Sequence, residues 1–423
     1  MNSRERLLAT INHRMPDQLC VDLGAGAQTG MGILAAHNLR QRIIADPDYK
    51  VKVIEPYQML GEIDLQLINA LQLDVTGIST PGNMFGFRNE GWKPFSMRGV
   101  DCLVPEKFNY TKDETEAIYM YPEGDTTLPP CAKMPRDSFF FDALPRQLPI
   151  DDLNLNPSDN FEEFEILSPD DLVYYEQLSK KLFEETDLGI YATLPGMAFG
   201  DIALVPAPWL KNPKGVRDIT EWYMSLLTRP EYIHKIFENQ CEIALKNIEL
   251  LADAMGDRVQ VVFLSGTDFG TQTGLFSSIE SYRELFKPYQ KILNDKIHEL
   301  TNWKTFTHSC GAIIELIPDF IEAGWDILNP VQISATGMDP VQLKKEFGQD
   351  IVFWGGGIDT QKTLPFGTPS EVKNEVRKNI EIFNGDGGYV FNPVHNIQSN
   401  VPIQNIIAML EAVNEYRSVD SLF

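Results

Sequence analysis

The chain has 423 residues, 43% of them hydrophobic, enough for one large core or two ordinary ones. Sixty acidic residues against 36 basic ones give a formal net charge of -24, which repels phosphate backbones and anionic membrane surfaces and argues against nucleic acid as a partner. No apolar run approaches the ~20 residues of a membrane span, and Met1 to Leu7 leads into no signal-peptide core, so a cytoplasmic protein is expected.

In chain order, the first strand signals are Leu19 to Asp22 and Asp74 to Ile78. Residues 80 to 150 then break the pattern with prolines, glycines and aromatics (Pro81-Gly82, Tyr121-Pro122-Glu123-Gly124, Leu128-Pro129-Pro130), which reads as a β-rich insertion or lid without a core of its own. The aromatics Phe85, Phe87, Trp92, Phe95, Tyr119, Tyr121, Phe139, Phe140 and Phe141 have packing as their default role. A polar linker, Asp151 to Asn160, leads into a helix over Ser168 to Glu185. From there strands and helices alternate. Strands are expected at Ile190 to Leu194, Val259 to Leu264, Lys304 to His308, Asp326 to Leu328, Ile351 to Trp354 and Tyr389 to Phe391. Between them, Val216 to Met255 suits two helices broken near Arg229-Pro230. Ser278 to Leu300, Ala312 to Ala323, Pro340 to Phe347, Pro369 to Phe383 and Pro402 to Tyr416 complete the helices. Ser277-Ser278-Ile279-Glu280 and Thr368-Pro369-Ser370-Glu371 carry capping-box patterns, the second with proline at the first helical position. Eight strands alternating with helices predict a closed (β/α)8 TIM barrel, read as one domain over 1–423 with the insertion inside it. The five cysteines, Cys20, Cys102, Cys131, Cys241 and Cys310, are scattered and odd in number, so a disulfide framework is not expected.

In such a barrel the chemistry sits where strands end and the following loops begin. His308 and Cys310, two apart at a strand end, project to one side and form a soft-metal half-site, which His395 would complete as a catalytic zinc site with an open position. A buried free cysteine beside a hydrogen-bonded histidine is the bland alternative. Asp268 and Asp359 also end strands; either helps orient a ligand or moves a proton, or else braces its own turn. Gly355-Gly356-Gly357 is a tight turn or a phosphate cradle, with no lysine to complete the latter.

The segments Asp268-Phe269-Gly270-Thr271-Gln272-Thr273-Gly274 with Ser277-Ser278, and Phe391-Asn392-Pro393-Val394-His395-Asn396-Ile397 leading to Asn405, resemble the uroporphyrinogen decarboxylase superfamily, which also contains zinc-dependent, corrinoid-linked methyltransferases. His308-Ser309-Cys310 is similar to the metal motif of the methyltransferases, whose third ligand is usually a cysteine where His395 stands here; His395 itself resembles a histidine of the true decarboxylases. The decarboxylases' arginine-bearing N-terminal motif is replaced by Asp22-Leu23-Gly24-Ala25-Gly26-Ala27-Gln28-Thr29-Gly30, which has no cation to hold a polycarboxylate. The resemblance therefore implies a zinc-dependent methyltransferase working with a corrinoid on a partner protein. Its expected site has His308, Cys310 and His395 on the metal, Asp268, Asp359 and His395 in the chemistry, and Gln272, Gly356 and Asn396 at the cofactor. A porphyrinogen-type decarboxylase and a barrel that binds without catalysis stay open. So do three roles for the insertion: lid, homodimer surface or docking site for the corrinoid protein.

Overall fold

The computed structural model describes residues 1–161 and 164–417, so the last six positions of the expected domain lie outside the described residues. Its main sheet has eight parallel strands: β1 (Cys20–Val21), β2 (Val75–Ile78), β3 (Gly189–Thr193), β4 (Val261–Ser265), β5 (Lys304–His308), β6 (Ile327–Asn329), β7 (Val352–Trp354) and β8 (Tyr389–Phe391). From β2 to β8 each strand pairs with the next, and β8 pairs with β1, so the sheet curls into a nearly closed (β/α)8 barrel. All eight fall on the expected apolar runs. Strands covered on both faces must be apolar throughout, which is why such short runs were readable.

The seam between β1 and β2 is closed differently. The Asp74 N–H donates to the Val21 carbonyl at 2.9 Å, and the Asp74 side chain accepts from the Val21 N–H at 2.9 Å. Gly77 permits the approach, since a Cβ there would sit 1.6 Å from the Ala25 carbonyl oxygen. Inside the barrel Phe306 packs edge to face on Tyr191, Phe263 and Trp354, with the Tyr191 and Phe306 rings 5.2 Å apart at 88°. Side chains two apart share a face of a strand, so His308 follows Phe306, and Asn329 follows Ile327, one layer nearer the C-terminal mouth.

The helices largely follow their start signals. Thr368 and Glu371 form the expected capping box on Pro369–Phe383, and the long helical stretch breaks at Arg229 into Ile219–Thr228 and Pro230–Met255. The other box is shifted: Ser278, not Ser277, is the cap, its hydroxyl accepting from the Ser281 N–H at 3.1 Å, so Glu280 takes no part. That stretch also divides at Phe286 into Ile279–Leu285 and Lys287–Leu300, because Pro288 cannot continue a helix but is tolerated in a first turn. Ala312 to Ala323 shortens to a 3-10 turn, Ile314–Leu316, and a helix, Ile317–Glu322.

Helices over Ser3–Ile11, Ile33–Ile44 and Leu65–Leu71 add to the expected set. The first, held by an Asn2/Glu5 capping box, plugs the end of the barrel opposite the mouth with Leu7 and Ile11. Between β2 and β3 a hairpin, Lys93–Met97 with Val100–Val104, and a four-stranded antiparallel sheet, Tyr110–Lys112, Ile118–Met120, Ala132–Met134 and Asp142–Ala143, account for the β-rich insertion. Its aromatics divide: Phe85, Phe87 and Phe95 are buried, while Phe140 and Phe141 also line a cavity at the mouth. Among the described residues no helix is long and apolar enough to cross a membrane.

Candidate functional site

His308 ends β5 with its ring inside the barrel. Asn329 at the end of β6 donates through Nδ2 to the Trp354 carbonyl at 2.7 Å, which fixes its Oδ1 as an acceptor; the His308 Nδ1–H donates to that oxygen at 2.5 Å. The tautomer follows, leaving the Nε2 lone pair free, 3.3 Å from the Cys310 sulfur. Cys310 lies in the next loop, where its N–H donates to Asp268 Oδ1 at 2.6 Å and the Gly311 N–H donates to Gln332 at 2.7 Å. Gly311 has φ +97° and passes against the Gly270 backbone, so a side chain there would break the stitching of the two loops.

His395 reaches the same point from the loop after β8. Asn392 anchors one side of that loop on the Asp22 carbonyl at 3.0 Å, and Asn396 anchors the other by accepting from the Gly30 N–H at 2.6 Å. The His395 and His308 rings stand 5.3 Å apart at 76°. One donor atom from each of His308, Cys310 and His395 lies within 4.8 Å of the other two.

Electrostatics prepare this triad for a cation. Burial pushes His308 and His395 down to about 4, so both are neutral ligands at physiological pH. Burial, and then Asp268 and Asp201, push the Cys310 thiol well up, since a thiolate here would face acids and no positive partner among the described residues. Two neutral imidazoles and a thiol that a divalent ion would ionise form a His2Cys set, suited to zinc with one position open. The Asn329 contact to His308 is the outer hydrogen bond such ligands normally need.

The triad faces a cavity of about 810 Å³, lined in part by Asp268, His308 and His395. Among the described residues its lining has carboxylates but no lysine or arginine, and the loop Gly24 to Gly30 contributes none. Burial raises Asp268 above the usual carboxylate range. Two acids that the sequence reading did not single out share the wall: burial pushes Glu55 and Asp201 each up to about 7. Asp201 lies in the loop after β3, where the strand-end rule, applied to that strand too, would have found it.

The remaining expected positions do not line the cavity. Asp359 accepts from the Gln361 and Lys362 N–H groups at 2.7 and 3.3 Å, bracing its own turn. Gln272 donates to the Ser334 carbonyl at 2.6 Å and accepts from Gln332 at 3.0 Å, so it buttresses the residue that holds Gly311. Gly356, φ +73°, makes a tight turn against Val331, and Asn396 ties down the loop that contains Gly30. Their side chains are spent on the scaffold.

Together these features define a (β/α)8 barrel with a ligand cavity at its C-terminal mouth, the place where barrel enzymes carry their chemistry. The family profile described as Uroporphyrinogen decarboxylase (URO-D) matches residues 202–416, and the chain belongs to this family. It is 24% identical over 196 residues to a uroporphyrinogen decarboxylase of Ruthia magnifica subsp. Calyptogena magnifica, covering 44% of this chain and 50% of that one. It is 21% identical over 231 residues to that of Mannheimia succiniciproducens, covering 53% of this chain and 59% of the relative. The chain thus spans little more than half the length of these curated relatives. The fold also matches a methyltransferase from Methanosarcina mazei with a TM-score of 0.55 and 14% identity, covering 99% of this chain and 100% of that one.

Proposed function

We propose that this protein is a zinc-dependent methyltransferase that moves a methyl group between a small substrate and a corrinoid carried by a separate protein, in the cytoplasm. The observation that carries this reading is the His308–Cys310–His395 donor set opening onto a cavity without cationic side chains. Zinc bound there would lower the pKa of a substrate thiol or alcohol and supply a nucleophile at neutral pH.

The chain's own groups have separate tasks. Asn329 holds the His308 ring in the ligating tautomer. Asp268 fixes the Cys310 backbone and, raised by burial, is poised to take or return a substrate proton. Asp359, Gln272, Gly356 and Asn396 shape the loops that set the three ligands. The insertion over residues 80–150 serves as a lid, with Phe140 and Phe141 on the cavity wall keeping water out.

The names of the curated relatives favour a second reading, decarboxylation of a porphyrinogen. A substrate with many carboxylates would meet Glu55, Asp201 and Asp268 with no arginine among the described lining residues, which is repulsive and leaves its charges unpaired. The deciding experiment titrates the protein with coproporphyrin and uroporphyrin, and separately with small methoxylated or methylthio compounds and a free corrinoid. Saturable binding of the small methylated compounds and the corrinoid is expected. Tight porphyrin binding, with decarboxylation of the reduced form, would restore the second reading.

Zinc uptake should also depend on pH in a definite direction. The histidines, at about 4, carry no proton to lose above pH ~5, whereas the raised Cys310 thiol must lose one. Affinity should therefore climb roughly tenfold per pH unit between about pH 6 and 8, with about one proton released per zinc. Competition against a chromophoric chelator at several pH values measures this; a flat profile would remove Cys310 from the ligand set.

A further inference from the structure

The cavity wall is rich in acceptors that lack donors. Gln240 is 1% exposed; its Nε2 donates to the Gly196 and Ala198 carbonyls at 3.0 and 3.2 Å, while its Oε1 has no hydrogen-bond partner. Asp201 accepts from the Ala203 N–H through Oδ1 at 2.9 Å, and among the described residues no donor reaches its Oδ2, which lies where a Cβ on Gly266 would approach to 2.7 Å. Glu55 accepts only backbone N–H groups, from Tyr57 at 3.2 Å and Gln58 at 2.6 Å, and no ion pair reaches it among the described residues. Of the other acids on the wall, Asp171 is already paired with Arg88 at 2.5 Å.

Aromatic side chains share this lining: Phe263 stands beside Asp201 Oδ2 next to Gly266, and Trp222 and Phe237 pack at the neighbouring Gly200. A half-buried carboxylate with an oxygen that no donor reaches favours a positive partner, and among the described residues none is supplied to Asp201. A primary ammonium would need several directed acceptors and remains strongly hydrated. A methylated ammonium spreads its charge over apolar methyl groups, which suits aromatic faces together with nearby carboxylates.

We infer that the cavity selects substrates bearing a compact methylated ammonium group, held by Asp201 and the aromatic side chains beside it while the substrate's reacting atom points toward His308, Cys310 and His395. This deepens the proposed methyl-transfer reading and rests on its assignment of the cavity as the substrate site. The upward displacement of Asp201 to about 7 agrees with a carboxylate whose charge is unmatched until a cation enters.

The test compares choline with its neutral isostere 3,3-dimethyl-1-butanol, and adds tetramethylammonium, by calorimetric titration of the full chain at pH ~8. Choline and tetramethylammonium should bind saturably, choline at least about tenfold tighter than the isostere, and Asp201→Asn should abolish most of that preference. Equal affinity for choline and the isostere, or no binding of either cation, overturns the inference without relying on any variant. So does an undiminished preference in Asp201→Asn. The same titration on protein stripped of metal, with zinc content measured separately, keeps the two ideas apart. Cation preference without zinc binding would sink the zinc reading alone, and stoichiometric zinc without cation preference would sink only this inference.

Discussion

Replacing Cys310 with serine should strip the protein of most of its zinc while leaving the barrel folded. The thiol supplies the one ligand of the proposed set that can carry negative charge, and a serine hydroxyl does not ionise to replace it. Losing it should weaken zinc binding by more than the roughly 10- to 100-fold that follows removal of an outer hydrogen-bond partner, and methyl transfer should fall with occupancy. Asn329→Ala provides that milder comparison, since it frees the His308 ring without removing a ligand. The fold should survive for two reasons. The interior cluster around Phe306 and Trp354 is built without the site. A serine Oγ can also donate to His308 Nε2, much as the sulfur already lies 3.3 Å from it, so no buried polar atom is orphaned. Elemental analysis with a thermal unfolding curve reads both effects. Zinc content equal to that of the unaltered protein would dismiss the ligand set, and loss of the folded state would show the cysteine to be part of the core instead.

The sequence carried the barrel well and the site only in part, for physical reasons. Doubly covered parallel strands must be apolar along their whole length, so Val261–Ser265 and Tyr389–Phe391 stand out against the amphipathic helices around them. Ser3–Ile11 and Leu65–Leu71 are short, and their caps Asn2 and Asp64 precede too few turns for a periodic signal to build up. At the site, parity along a strand paired His308 with Cys310, although β5 ends at His308 and Cys310 lies in the loop beyond it, and proximity to strand ends drew Asp268 and His395 into the same group. Strand-end position alone does not say where a short side chain points. Asp359 shows this, because an aspartate at such a place can satisfy its own turn, and here it does. Glu55 ends the short strand Val53–Glu55 outside the barrel, and Asp201 lies in the loop after β3. A strand-end position points to Asp201, but that neither carboxylate has a charged partner among the described residues shows only in the folded chain.

The largest loss of stability should follow from a residue at the other end of the barrel. Asp74 is fully buried at the start of β2; Arg6 from the N-terminal helix meets its Oδ1 at 2.5 Å, and Arg417 meets its Oδ2 at 3.2 Å. The same carboxylate accepts the Val21 N–H, so it joins the seam of the sheet and both ends of the described chain through one group. Asp74→Ala would leave Arg417 buried with its charge unmatched and the Val21 N–H without an acceptor, and removing one partner of a buried pair typically costs about 3–5 kcal/mol. Asp74→Asn keeps an acceptor but not the charge, so its loss should be smaller. Adding Arg417→Leu to Asp74→Ala should recover part of the stability, because the stranded guanidinium is removed as well. Chemical denaturation of the three variants, followed by far-UV circular dichroism and tryptophan fluorescence, gives the comparison. A loss under about 1 kcal/mol for Asp74→Ala would mean that water reaches the arginines and that the ladder from β2 to β1 holds without them. Metal content should stay at the level of the unaltered protein in any variant that remains folded, since the N-terminal face of a barrel serves stability and the mouth serves chemistry.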